Sequence, residues 1–180
     1  MRVALLSGHN FINKGCHVKI DGQIINEWDL TNWLVAEVFK RERLMGVDLV
    51  VKARNDYKDL VSEVNSLNAN VLISCHFNAA EGEVQGTEVL HAATSSKGKK
   101  LAEVAQNILV KNLSLRNRGL KPTTPDMRGG SILNKTKPVA ILVEPFFLDD
   151  IKSVEELNKY MELTAVSIIE ILEYLEKNEL

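Results

Sequence analysis

Val71-Leu72-Ile73-Ser74-Cys75-His76-Phe77-Asn78-Ala79 is an apolar run of strand type that stops abruptly at a histidine and an asparagine. Val71 to Ile73 suit a central strand of a parallel sheet, where both faces are covered and polar alternation is lost. In open α/β sheets ligands bind at the carboxyl ends of the strands, so a histidine placed just after such a run sits at the reactive edge. Alone, His76 is equally well explained as a core imidazole satisfied by a neighbouring carbonyl. Two further stretches weigh against that. Val3-Ala4-Leu5-Leu6-Ser7-Gly8 runs into His9, and Val139-Ala140-Ile141-Leu142-Val143 runs into Glu144. If these strands are parallel neighbours, two imidazoles and a carboxylate meet at one edge of one sheet.

Outward from these strands the chain alternates between strand and helix patterns. Residues 10 to 22, rich in Asn, Gly, Lys and Asp, read as a loop. Asn26 or the acids after it open a helix whose apolar stripe runs through Leu30, Leu34, Val35 and Val38. Glu27 falls on that stripe, one and two turns before Thr31 and Leu34. A first-turn acid complements the helix dipole by about 0.3 to 1 kcal/mol, but an acid serving only that purpose should avoid the buried side.

Val47 to Ala53 is a second strand, and Arg54-Asn55-Asp56 supplies a turn and an N-cap for a short helix with Leu60, Val64 and Leu67 on one face. Gly86 to His91 alternates as a half-buried or edge strand does, with His91 in a structural role. Ser95 or Ser96 opens a helix lined by Leu101, Val104, Ala105, Ile108 and Leu109. Leu115 to Lys137 is basic, Gly- and Pro-rich and reads as a long functional loop, with Ile132 and Leu133 in a short strand or bend beneath it. Ser153 and Glu156 form a capping box for a final helix that covers a sheet face. The whole predicts a single α/β domain over residues 1–180: a three-layer sandwich with a mostly parallel central sheet and helices on both faces.

Composition narrows the function classes. A chain of 180 residues with net charge −2 lacks the basic excess of a general nucleic-acid binder. Two cysteines, Cys16 and Cys75, are too few for a disulfide framework, and alternation turns Cys75 away from the face carrying Ser74 and His76, as a buried inert thiol. The apolar run after Met1-Arg2 ends at Ser7-Gly8-His9, too short for a signal-peptide core or a membrane span. Synthesis in the cytoplasm without a signal peptide, no membrane insertion and a monomeric state are the expectations.

Two histidines, a carboxylate and one open position make a hydrolytic zinc site, in which water takes the fourth place and a further carboxylate removes its proton. His9, His76, Glu27 and Glu144 supply three ligands and a base. The residues themselves leave open which glutamate is the ligand.

The motifs Gly8-His9, Glu27, Ser74-Cys75-His76-Phe77-Asn78, Gly86-Thr87-Glu88, Arg118-Gly119 and Pro138 to Phe147 resemble, in order and spacing, the catalytic domain of zinc-dependent N-acetylmuramoyl-L-alanine amidases of bacterial cell-wall hydrolases and phage endolysins. The resemblance covers essentially the whole chain. It implies zinc on His9, Glu27 and His76, Glu144 as the catalytic carboxylate, and cleavage of the amide between muramic acid's lactyl group and the first L-alanine of peptidoglycan. It also implies a catalytic domain without a wall-binding domain, acting on the cell wall after release. Asn10, Glu63 and Pro145-Phe146 depart from the pattern and bear on groove shape. Asn78, Arg116, Arg118 and Arg128 are the candidate substrate contacts, the arginines because peptide stems carry carboxylates. Competing readings are another zinc peptidase or amidohydrolase acting on the stem, a glycosidase using Glu27 and Glu144 that would leave both histidines idle, and an inactive cell-wall-binding module.

Overall fold

The structure, a computed structural model, describes residues 1–41, 46–80 and 84–178. Strand β1 (Arg2–Ser7) is followed by β2 (His17–Ile20), β3 (Gln23–Asn26) and helix α1 (Glu27–Arg41). Then come β4 (Asp48–Ala53), α2 (Leu60–Ser66), β5 (Val71–Cys75), β6 (Thr87–Ala92) and α3 (Ser96–Leu113). The chain continues through β7 (Asn117–Thr123), α4 (Gly130–Lys135), β8 (Val139–Glu144), a 3-10 turn at Leu148–Asp150 and α5 (Val154–Lys177). The main sheet has the order β4-β1-β5-β8-β6-β7, and β2 and β3 pair in a separate two-stranded sheet.

β4, β1, β5 and β8 are mutually parallel, β6 runs antiparallel to β8, and β7 is parallel to β6. The strands that run into His9, His76 and Glu144 are thus adjacent and parallel, which was the condition for their convergence. Their register matches as well, with Ser7 opposite Cys75 and Cys75 opposite Val143.

Alternation along these strands feeds two cores. Val3, Leu5, Val71, Ile73, Ile141 and Val143 face α1, α3 and α5, while Ala4, Leu6, Leu72, Ala140 and Leu142 face α2 and α4. Cys75 lies in the first core, as alternation required, and burial pushes its thiol up to about 12. α5 packs between α1 and α3 and contributes Leu157, Met161, Ile168 and Leu172 to that core. Emptying one such side chain, as in Ile168→Ala, removes about 2 to 5 kcal/mol. The opposite face is covered more thinly by short helices, leaving room for a cleft at the carboxyl edge. Among the described residues no helix is long and apolar enough to cross a membrane.

Several local expectations are corrected. Residues 10 to 22 are not all loop: His17–Ile20 and Gln23–Asn26 form a hairpin. Asp21 and Gly22 turn it with φ of +50° and +80°, as a type I′ turn demands. β6 is an interior strand, because Asn117–Thr123 pairs outside it. Pro122 is tolerated in β7 because that strand forms the edge and needs no outer N–H. Ile132 and Leu133 lie in helix α4 rather than in a strand or bend. α2 starts later than Arg54-Asn55-Asp56 suggests, and its first flanking residue, Asp59, makes no side-chain cap. Ser153 accepts from the Glu156 N–H, but the Glu156 carboxylate reaches the Lys152 N–H, so the capping box closes one residue early.

Candidate metal centre and cleft

The centre begins with the ends of β1 and β5. His9 adopts φ of +62°, a left-handed conformation that turns its ring back toward the sheet edge just after Gly8. Gly8 is needed for space: a Cβ there would lie 2.6 Å from the Cys75 carbonyl oxygen and 2.7 Å from His76 Cε1. The Gly8 N–H donates to Cys75 O at 2.9 Å, and Thr31 Oγ1 on α1 donates to Gly8 O at 3.0 Å, so the strand end is held from both sides.

Glu27 is the first residue of α1 and fully buried, on the stripe with Thr31 and Leu34. Its carboxylate accepts the N–H groups of Cys16 and Phe77, each at 3.1 Å, and lies 2.9 Å from His76 Nδ1 and 3.1 Å from His9 Nε2. Burial alone would raise its pKa. The bond to His76 and the closeness of His9 outweigh that and hold the carboxyl well below the usual range. Burial, partly opposed by Glu27, pushes His76 down and so favours its neutral form.

A ligand atom from each of His9, Glu27 and His76 lies within 4.8 Å of the others. Ligands of a tetrahedral zinc sit roughly 3.3 Å apart at bond lengths near 2.0 Å, a spacing comparable to that of His76 Nδ1 from Glu27 Oε1 and of His9 Nε2 from Glu27 Oε2. Both ring nitrogens of His9 are buried without an aligned hydrogen-bond partner among the described residues, and an imidazole held in that state suits a metal better than a core role. Two imidazoles and a carboxylate are also the donor set of a hydrolytic metal site.

Glu144 ends β8, and the His76 N–H donates to Val143 O at 3.0 Å, which ties the two residues side by side. Glu144 is buried and its Oε2 has no hydrogen-bond partner among the described residues. Burial first, then the negative charge of Glu27 and that of Glu88, raise its pKa well above the usual carboxylate value, while Arg128 pulls the other way. His9, His76 and Glu144 line one cleft of about 460 Å³ floored by Leu6, Ser74 and Leu142 and flanked by Leu60 of α2 and Ile132 of α4.

Of the candidate substrate contacts, Asn78 and Arg128 line this cleft. Asn78 Nδ2 donates to Glu88 Oε1 at 2.8 Å, which fixes the amide. Arg118 Nε donates to Glu88 Oε2 at 2.8 Å and its guanidinium stacks over Phe147 at 4.8 Å, beside the cleft rather than in its lining. Arg116 is exposed and also lies outside the lining; its carbonyl accepts the Thr87 N–H.

Three further residues belong to the site. Arg54 follows β4 as His76 follows β5, lines the cleft, and keeps a buried Nε without a partner among the described residues. The apolar-run reading that singles out the histidines does not reach it, because β4 is half-exposed and carries Asp48 and Lys52. Glu88 sits opposite Glu144 in the β6–β8 register and anchors both Asn78 and Arg118. Gly15, with φ of +75°, lets the chain pass so close to Glu27 and His9 that a Cβ would sit 2.7 Å from His9 Cδ2. Nothing in the local sequence marks that glycine apart from its neighbours.

Similar proteins agree with this geometry. A family model described as N-acetylmuramoyl-L-alanine amidase matches residues 3–173. The fold is shared with an N-acetylmuramoyl-L-alanine amidase from Clostridium difficile 630, with a TM-score of 0.82 and 22% identity over 99% of this chain and 97% of that one. The catalytic domain of an endolysin targeting Clostridia difficile has a TM-score of 0.72 and 25% identity, covering 100% of this chain and 99% of that one. An uncharacterised 38.4 kDa protein of Clostridium perfringens is 29% identical over 154 residues, 83% of this chain, and the chain spans 44% of that relative's length. With the match running from β1 into α5 and the cluster at the strand ends intact, the chain belongs to the N-acetylmuramoyl-L-alanine amidase family.

Proposed function

We propose that the chain is a zinc-dependent peptidoglycan amidase of the lytic, endolysin type, cleaving the bond between N-acetylmuramic acid and L-alanine. The observation that carries this reading is the convergence of His9, Glu27 and His76, with His9 and His76 lining one cleft together with a buried Glu144 whose Oε2 has no hydrogen-bond partner among the described residues. His9, Glu27 and His76 would hold the ion. Zinc there supplies Lewis acidity toward the amide carbonyl and a water whose pKa falls to about 7.

The protein's own part is proton transfer and positioning. Glu144 accepts the proton of the attacking water and delivers it to the departing amide nitrogen, which leaves poorly unless protonated. In the metal-free chain burial, and then the charges of Glu27 and Glu88, raise its pKa, which favours its holding a proton. The backbone N–H groups of Cys16 and Phe77 hold the Glu27 carboxylate in place, so orientation does not depend on the ion alone. Asn78, braced by Glu88, is positioned to bond the substrate's amides, and Arg128 at the rim offers a guanidinium to a stem carboxylate.

The reading is tested by metal content and lysis together. The purified chain should hold one zinc, lose wall lysis on chelation and regain it when zinc is returned. His76→Ala should lower both occupancy and lysis, and full occupancy in that variant would remove His76 from the ligand set.

A further inference from the structure

The cleft does not end at the metal ligands. On the side of β4 it opens into a second groove of about 670 Å³ that shares Asn13, Arg54 and Tyr57 with the cleft and adds Phe11, Trp28 and Asn55. This groove is apolar where water would be expected to disfavour it: Phe11 is 72% exposed and Tyr57 48% exposed. The loop that carries Phe11 is nonetheless built rather than loose. Asn10 Oδ1 accepts the N–H groups of Ile12 and Asn13 at 3.1 and 2.7 Å, and its amide donates to Asn55 O across the groove. Phe11 packs edge-on to Trp28 with centroids 5.7 Å apart, and Lys14 Nζ lies over both rings. Tyr57 supplies a further ring, held by the Arg54 guanidinium 4.6 Å from its centroid.

The opposite end of the cleft has a different chemistry. There Glu88, Arg118 and Lys121 form a charged cluster beside Asn78. A substrate amide that joins a sugar strand to a peptide has two ends of matching kinds. Sugar rings present apolar C–H faces that pack on aromatic rings, with hydroxyl and acetamide groups that bond to side-chain amides. The peptide stem carries ionised carboxylates that pair with guanidinium and ammonium groups.

We propose that the groove of Phe11, Trp28 and Tyr57 is a glycan subsite. It holds the sugar strand of the wall polymer and so orients the scissile amide, with the stem directed toward Glu88 and Arg118. The proposal rests on the amidase reading for the identity of the polymer, but it is testable without turnover. The probe is a stem-free tetrasaccharide of alternating N-acetylglucosamine and N-acetylmuramic acid, titrated into the intact zinc-loaded chain and followed by tryptophan fluorescence. Saturable binding is expected, weakened roughly five- to tenfold by Phe11→Ala and by Tyr57→Ala, and not displaced by free stem peptide. Zinc content and circular dichroism of both variants check that the fold is kept.

Absence of tetrasaccharide binding, or equal binding by the wild type and both variants, would overturn the subsite. So would displacement by free stem peptide. Phospholipid vesicle binding or self-association that Phe11→Ala abolishes, with tetrasaccharide binding untouched, would assign the groove to a membrane or a second copy instead. If the chain binds the tetrasaccharide as described but releases no alanine amines from walls, the catalytic reading fails and the subsite stands.

Discussion

Gly15→Ala is the sharpest perturbation of the centre that leaves every candidate ligand in place. Two costs arise, and a second glycine separates them. At φ of +75° an alanine meets the left-handed backbone penalty, about 1 to 2 kcal/mol. Its Cβ would also press on the Glu27 carboxylate and lie 2.7 Å from His9 Cδ2 and 2.8 Å from His9 Nε2. Glu27 is clamped by the Cys16 and Phe77 N–H groups, so the carboxylate cannot yield without losing buried hydrogen bonds, each worth about 1.5 to 3 kcal/mol when the acceptor is charged. Gly22 has φ of +80°, and a Cβ there would meet nothing within 4 Å among the described residues, so Gly22→Ala incurs the backbone penalty alone. Urea melts of the metal-free proteins should therefore show Gly22→Ala lowered by about 1 to 2 kcal/mol and Gly15→Ala by about 3 to 5 kcal/mol. Zinc titration against a fluorescent chelator should show wild-type affinity for Gly22→Ala and at least a roughly tenfold loss for Gly15→Ala, the scale seen when support behind a metal ligand is disturbed. Equal zinc affinity in the two variants would refute the claim that the 14–16 segment sets the position of Glu27 and His9.

The two buried glutamates should separate by role. Glu144→Gln keeps the shape but cannot take a proton, so the single-turnover rate should fall by at least about 10² to 10⁴ with zinc content unchanged, whereas Glu27→Gln should lose zinc itself; the reverse pattern would exchange their roles. The same Glu144→Gln substitution carries a signed pH dependence in the metal-free protein. Because burial raises the folded-state pKa of Glu144, its contribution to stability is present below the ordinary value near 4.3 and is lost as pH rises through the folded value. Gln mimics the protonated form at every pH, so the variant's stability relative to wild type should grow from pH 4 to pH 8 in urea melts; a constant difference would contradict a raised Glu144.

Much of this architecture was legible because strand burial writes itself into apolar runs. Val3–Ser7, Val71–Cys75 and Val139–Val143 have buried faces on both sides, and each run ends at a residue of the candidate site. Glu27 was legible for a related reason, as an acid on the buried stripe of α1 where a surface cap does not belong. What escaped depends on contacts distant in sequence. β7 looked like loop because an edge strand tolerates Pro122 and Gly119, which erase the usual pattern. The hairpin of β2 and β3 is short and half-exposed, and its one clear mark was Asp21-Gly22. Arg54 reads locally as part of a turn, because the strand before it is half-exposed and carries Asp48 and Lys52 rather than an unbroken apolar run. Gly15 acquires its importance only from Glu27, 12 residues away, which no local pattern encodes, and Glu88, marked by the Gly86-Thr87-Glu88 motif, shows its bracing role only through Arg118, 30 residues on.

The central claim concerns which bond is cut, and end-group analysis of digested cell walls addresses it most directly. Walls treated with the zinc-loaded chain should release free alanine amino groups in step with the fall in turbidity, with no rise in reducing sugar and no new amines from residues further along the stem. Reducing sugar would instead mean a glycosidase built on Glu27 and Glu144, amines from within the stem a peptidase, and no new end groups a module that binds the wall without cutting it.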